Sequence, residues 1–214
     1  MSSLTPVLLS TAYLPPVQYI GKFTGGNPVL IEKHENYQKQ SYRNRCYIYG
    51  ANGKLCLVIP VIKHHGEKTP VHAVEIDYDN PWQKIHLKSI ESAYRLSPFY
   101  EYYADDFVAL YGKKPALLFD WNLTLLNHII KCLNLGEPPR TTSAYEKNAG
   151  AASDFRERIH PKPRLYRPDP LFQPVPYSQV FRERHGFIPN LSIIDLLFNE
   201  GPHAAEVVRE SVKR

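Results

Sequence analysis

A chain of 214 residues, 43% apolar and 22% charged, has the composition of a globular protein; this excludes intrinsic disorder and leaves enough chain to bury a core. Lysine and arginine outnumber aspartate and glutamate by 26 to 21, for a net charge of +5. That surplus suits an anionic small molecule, but no basic run or basic face accompanies it, so nucleic acid is not expected as a partner.

The first nine residues lack the positive region of a signal peptide, and no stretch approaches the roughly 18 apolar residues of a membrane-spanning helix. The expectation is a cytoplasmic protein without a membrane span. Cys46, Cys56 and Cys132 form no CxxC and no ligand-like spacing. They read as inert thiols rather than a disulfide framework or a zinc site.

In chain order, residues 7–12 resemble a short buried strand that ends at Tyr13-Leu14-Pro15-Pro16. Pro16 can open a helix through Gln18, Tyr19, Ile20 and Phe23, and Gly25-Gly26-Asn27-Pro28 breaks it before a second strand, Val29-Leu30-Ile31. Strand, helix, strand at this spacing is the grammar of an α/β domain, in which ligands favour the carboxyl ends of strands. Tyr13 and Gln18 are therefore candidate ligand-binding residues.

A hairpin follows around Ala51-Asn52-Gly53. With Asn52-Gly53 as the tight turn, Tyr49 faces Cys56 and Cys46 faces Ile59. Residues 54–62 are apolar on both faces, which predicts an interior strand. Val74, Ile76 and Tyr78 alternate with Glu75 and Asp77, the pattern of a half-buried strand. Three helices are expected next: Pro81 to about Tyr94, with Asn80 as its cap, Phe99 to Tyr111, and about Ala116 to Leu135. Residues 137–176 are crowded with prolines and read as an ordered, extended loop that wraps the domain. Leu191 to Asn199 is a short apolar helix stopped by Gly201. The fold class is α/β, with mixed α+β as the variant, in a single domain over 1–214: an N-terminal strand-helix-strand and hairpin, a mostly helical half and a long proline-rich loop.

The densest polar segment is residues 34–45, between two apolar strand-like runs. Polar groups so concentrated are expensive to bury unless they pair with each other or with a ligand, so the segment reads as one wall of a binding site. If 38–49 is extended, Lys39, Arg43 and Arg45 share one face with Tyr37, Tyr47 and Tyr49, where they can hold phosphates or carboxylates. The bland alternative is a solvated basic edge strand. Asn44 points the other way, where it can secure the hairpin or join the ligand set. His34-Glu35 starts like a zinc helix, but the second histidine of HExxH is missing and no metal is expected. His34 and His86 remain as candidate acid/base groups, although a histidine in an apolar stripe, as His86 is, is more often a hydrogen-bonded core residue. His64-His65 reads as an exposed loop pair. Asp195, inside an apolar helix, calls for a partner, and a cation such as Arg43 or Arg45 would serve.

Tyr13-Leu14-Pro15-Pro16-Val17-Gln18-Tyr19, Tyr37-Gln38-Lys39 with Asn44-Arg45, Leu57-Val58-Ile59-Pro60-Val61, and Leu191 through Gly201 together resemble the WbqC-like protein family, over nearly the whole chain. The resemblance implies a bacterial protein associated with surface-polysaccharide biosynthesis; it implies no particular cofactor. The family's opening motif tends toward Gln-Pro-x-Tyr-x-Pro, whereas this chain has Ser10-Thr11-Ala12-Tyr13-Leu14-Pro15. The expected function is group transfer on a nucleotide-sugar or related anionic metabolite, with a non-catalytic envelope-assembly accessory as the alternative, docking through residues 156–185.

Overall fold

The computed structural model describes residues 4–62, 68–150 and 152–213; the His64-His65 pair lies outside them. Four short strands form a wholly parallel sheet: β1 (Val7–Ser10), β2 (Val29–Glu32), β5 (Arg140–Thr141) and β6 (Ser153–Asp154), in the order β5-β2-β1-β6. All four residues of β1 are buried, as expected of a strand with neighbours on both sides. Helix α1 (Val17–Gly21) makes the crossover from β1 to β2, and all its residues are buried. A Cβ on Gly21 would come within 2.7 Å of Val212 Cγ2, so glycine lets the C-terminal segment close over this helix.

β3 (Arg45–Gly50) and β4 (Gly53–Val58) form a separate antiparallel ribbon. Its loop is Ala51-Asn52, closed by the pair Gly50 and Gly53, with Gly53 at φ 93°. Tyr49 therefore faces Lys54 and Cys46 faces Leu57, a correction of two residues to the expected register that leaves every side chain on its expected face. The expected interior strand is also corrected. β4 is flanked only by β3 in this ribbon, and Leu55 and Val58 are each 39% exposed. Val74 and Ile76 are buried while Glu75 is exposed, but the segment makes only isolated bridges, Glu75 to Leu117 and Ile76 to Val61.

Helices α2 (Trp82–Tyr94), α3 (Tyr100–Tyr111) and α4 (Leu118–Cys132) supply the helical half. α2 buries Trp82, His86, Ile90, Ala93 and Tyr94, the single stripe that a 3.6-residue period dictates. α5 (Arg182–His185) is a single turn, α6 (Ile193–Glu200) is buried along almost its whole length, and α7 (Ala204–Glu210) packs against α1 and α6. Gly201, which ends α6, is at φ 52° and an added Cβ would sit 2.5 Å from the Phe99 ring. One apolar core runs from β1 and α1 through β3 and the helices to α7.

The proline-rich stretch departs from a pure loop in one respect: it contains β5 and β6, the two outer strands of the sheet. Beyond them the chain is tied down at defined points. Buried Asp169 pairs with Lys22 and accepts from Gln18 Nε2 at 3.2 Å. Gln173 N–H donates to the Ser211 carbonyl at 2.9 Å, and Lys213 N–H donates to Leu171. Tyr177 Oη donates to Asp195 Oδ2 at 2.6 Å. Asp195 is fully buried, yet its partners are Tyr94, Tyr177 and Gln179, not the expected cation. Three hydrogen-bond donors solvate the carboxylate without burying a second charge. Among the described residues no helix is long and apolar enough to cross a membrane.

Candidate functional site

Strand order in the sheet reverses at β1, which has β2 on one side and β6 on the other. In open parallel sheets the crevice outside the carboxyl ends at such a point is where ligands bind. Here the strand ends deliver Ser10 from β1, Glu32 from β2, Thr142 just after β5, and Asp154 and Arg156 from β6 and the residues after it. The turn after β2 adds Glu35, and the turn before β3 adds Arg43.

Arg43 is 2% exposed and organises the centre. Its Nε donates to Glu35 Oε1 at 2.9 Å, and its Nη2 donates to Glu35 Oε2 at 2.6 Å, Ser10 Oγ at 2.8 Å and Glu157 Oε1 at 3.1 Å. Burial pushes the Glu35 carboxyl above its ordinary value, against the pull of Arg43 and Ser10. A second buried guanidinium, Arg156, donates to Asp154 at 2.7 Å, to Glu32 at 3.4 Å and to the carbonyl of Glu146 at 2.9 Å. Glu32 also accepts from Thr142 Oγ1 at 2.8 Å and from the His34 N–H at 2.7 Å. His160, 6% exposed, closes the group; burial holds its imidazole below the ordinary value, partly offset by Glu157.

Two spaces adjoin these groups. The outer cleft, about 890 Å³ counting the part open to solvent, is lined by acids (Glu35, Asp154, Glu157), cations (Lys68, Lys147, Arg156), amides and two tyrosines, Tyr37 and Tyr145. The inner compartment is narrow, with about 10 Å³ open to the centre of a water-sized sphere, and is lined by Ser10, Arg43 and Arg156 among rings and aliphatic groups. Arg156 borders both. Among the described residues no group of three or more His, Cys, Asp or Glu side chains is placed to hold a metal ion.

The expected ligand set is dispersed. Residues 38–44 form a turn rather than an extended strand, with Gln40 at φ 60°, so Lys39, Arg43 and Arg45 do not share a face. Lys39 is exposed; Arg45 is half-buried in β3 and hydrogen-bonded to Tyr47, and its Nε has no partner among the described residues. Asn44 secures the hairpin: Nδ2 donates to the Ile59 carbonyl at 2.9 Å, and Ile59 N–H donates back to the Asn44 carbonyl at 2.8 Å. Tyr13 is fully buried, its hydroxyl bonded to Tyr111 and, at 2.8 Å, to His86 Nδ1. His86 is 3% exposed beside Trp82, and burial lowers its pKa to about 4. Gln18 ties Asn190 and Asp169 to α1. His34 is half-buried against the edge of His72, with no partner at Nε2 among the described residues. Of the eight candidates, only Arg43 lines either space, and it lines the inner one. Sequence reasoning missed Ser10, Glu32, Asp154, Arg156, Glu157 and His160; the one available signal was Asp154-Phe155-Arg156-Glu157, opposite charges clustered around an aromatic anchor in an otherwise extended stretch.

Comparison with known proteins identifies a family and is silent on chemistry. The chain is 24% identical over 232 residues to "Uncharacterized protein Rv1507c" of Mycobacterium tuberculosis, an alignment covering 94% of this chain and 96% of that one. No solved structure matches it. The model of the WbqC-like protein family matches residues 11–160 and 171–207, spanning the turn after β1, the crevice residues from Glu32 to His160 and α6, and the chain belongs to that family.

Proposed function

We propose that this chain is a cytoplasmic bacterial enzyme of surface-polysaccharide or cell-envelope metabolism, acting by group transfer on a nucleotide-sugar or related anionic small molecule bound at the carboxyl ends of the parallel sheet. The observation that carries this reading is the buried Glu35–Arg43–Ser10 cluster at the wall of an open cleft, at the point where strand order reverses. Lys68 and Lys147 in the cleft offer charge for phosphates, Tyr37 and Tyr145 offer rings for a base, and Asn36 and Gln38 offer amides for sugar hydroxyls. Arg43 is already neutralised by Glu35, so anion binding falls to the two lysines.

Glu35 is the candidate general base. An acceptor hydroxyl attacks the transferred carbon, its proton passes to Glu35, and the bond to the leaving phosphate breaks with the electron pair departing on the phosphate. Desolvation has already raised the carboxyl's proton affinity, and Arg43 holds it in place. A thermal-shift screen against sugar nucleotides, free nucleotides, acyl donors and divalent metals tests this. A sugar nucleotide at a hundred times its Kd should stabilise the fold by about 2.7 kcal/mol, with the shift abolished in Lys68→Ala/Lys147→Ala. A screen flat for every sugar nucleotide overturns the reading.

A second reading, the non-catalytic accessory, draws on the loop at 158–167. It is closed by Arg167 N–H to the Arg158 carbonyl at 3.2 Å and exposes Arg164, Leu165, Tyr166 and Arg167 together. An apolar and cationic loop tip of this kind suits an acidic protein partner.

A further inference from the structure

The loop that leaves the crevice after Glu157 carries a surface for which the group-transfer reading has no use. Its root is fixed: Phe155, Ile159 and His160 are buried, and the Lys162 N–H donates to His160 Nδ1 at 3.0 Å. Its tip is a preformed turn. The Leu165 and Tyr166 N–H groups both donate to the Lys162 carbonyl at 3.0 Å, and the Arg167 N–H closes the loop on the Arg158 carbonyl at 3.2 Å. Pro161, Pro163, Pro168 and Pro170 fix φ on either side, so the turn loses little freedom when it docks. Arg164, Leu165, Tyr166 and Arg167 are consecutive and all exposed, and none of them lines the outer cleft or the inner compartment.

Charge on this loop is of one sign. Between residues 158 and 171 the cations are Arg158, Lys162, Arg164 and Arg167, while the acid in that stretch, Asp169, is buried against Lys22. Leu165 is 45% exposed and Tyr166 38%. Arginine and tyrosine suit a lipid boundary, because each lays an apolar stem or ring against acyl chains and keeps its polar end among headgroups. A stable protein–protein interface takes about 800 Å² from each side, contributed by roughly 20–30 residues. A four-residue tip falls far short of that. A bilayer sets no such threshold, since its anionic headgroups and the apolar layer beneath them are continuous.

We infer that the 158–167 loop docks this protein reversibly on an anionic lipid surface, with the cations among the headgroups and Leu165 and Tyr166 at the acyl boundary. Glu157 and Ile159, at the root of the loop, line the outer cleft and the inner compartment, so docking holds the crevice close to the membrane. This stands independently of the sugar-nucleotide reading.

The test is co-sedimentation of the full chain with vesicles of phosphatidylcholine alone and of phosphatidylcholine mixed with phosphatidylglycerol. Binding should require the anionic lipid and fall as salt is raised. At about fivefold in affinity per cation near such a surface, Arg164→Ala/Arg167→Ala should weaken it about thirtyfold. Lys113→Ala/Lys114→Ala removes the same charge from the exposed turn after α3 and should leave binding nearly unchanged. Leu165→Trp reports the tip directly, because Trp82 and Trp121 are buried; its emission should shift to the blue on anionic vesicles. No binding to anionic vesicles overturns the inference and returns the tip to an acidic protein partner. Equal weakening in the two alanine pairs overturns the location, and unshifted emission from bound Leu165→Trp protein overturns the contact of the tip with lipid.

Discussion

Replacing Arg43 with leucine tests whether the centre of the crevice is a buried ion pair or a loosely solvated one. The pair is sealed: the two side chains are 3% and 6% exposed, with both carboxylate oxygens of Glu35 held by guanidinium donors at 2.9 and 2.6 Å. Glu157 is the third member but is half-exposed, so its share is small. Removing the guanidinium leaves a buried carboxylate with Ser10 as its remaining hydrogen-bond partner, which by the behaviour of broken buried pairs destabilises by about 3–5 kcal/mol. For a chain of this size, at about 2–4 °C per kcal/mol, that lowers Tm by roughly 6–20 °C. Urea unfolding by linear extrapolation measures it directly. The loss should shrink toward acid pH. Without Arg43 the folded pKa of Glu35 lies further above its unfolded value, so the penalty is absent below the unfolded pKa and grows as pH rises through the folded one. The double variant Glu35→Leu/Arg43→Leu should recover most of the stability, because an apolar pair of similar volume needs no desolvation. A single variant that loses less than about 1 kcal/mol, or a double variant as unstable as the single, would refute the buried-pair argument.

Tyr177→Phe removes one of three donors from the buried Asp195 carboxylate and should destabilise by about 1–3 kcal/mol at pH 7, read by urea unfolding. Burial pushes the Asp195 carboxyl up to about 6 despite its hydrogen bonds, so its contribution to stability is present below its unfolded value near 4 and falls by ~3 kcal/mol as pH rises to 6. Burial pulls the His86 imidazole down to about 4, so its contribution runs the other way, rising by roughly 3 kcal/mol between pH 4 and 6.5. Asp195→Asn should therefore gain stability on wild type as pH rises from 4 to 6, and His86→Gln should lose it; parallel pH profiles for either variant and wild type would refute the assigned shift.

The fold was legible wherever an element is long enough to show a period or carries a punctuating residue. α2, α3 and α4 declare themselves through apolar spacing and flanking proline and glycine, and β1, α1 and β2 through the breaks at Pro15-Pro16 and Gly25-Gly26. β5 and β6 are two residues each, too short for any periodicity. They exist because β1 and β2 present unpaired backbone edges that a passing extended chain can satisfy, a fact of the assembled sheet and not of Arg140-Thr141 or Ser153-Asp154. The interior strand inferred at 54–62 failed for a related reason: apolar residues on both faces describe a strand covered on both sides, whereas β4 pairs only with β3 in its ribbon, and Leu55 on one face and Val58 on the other are each 39% exposed.

The site was legible as a region but not as a set of partners. The polar segment 34–45 does supply a crevice wall, through Glu35 and Arg43, yet alternation along an extended strand was the wrong geometry for it. A turn there directs Arg43 inward to meet Glu35, eight residues earlier, and frees Lys39 to solvent. The other half comes from residues 154–160, more than a hundred positions away, whose charges look like those of a solvated arm until β6 brings them beside β1. Ser10 illustrates the same dependence from the opposite side. As a single residue at a strand end it reads as an ordinary terminator, but β2 and β6 place Glu35, Arg43 and the Arg156 carbonyl around its hydroxyl.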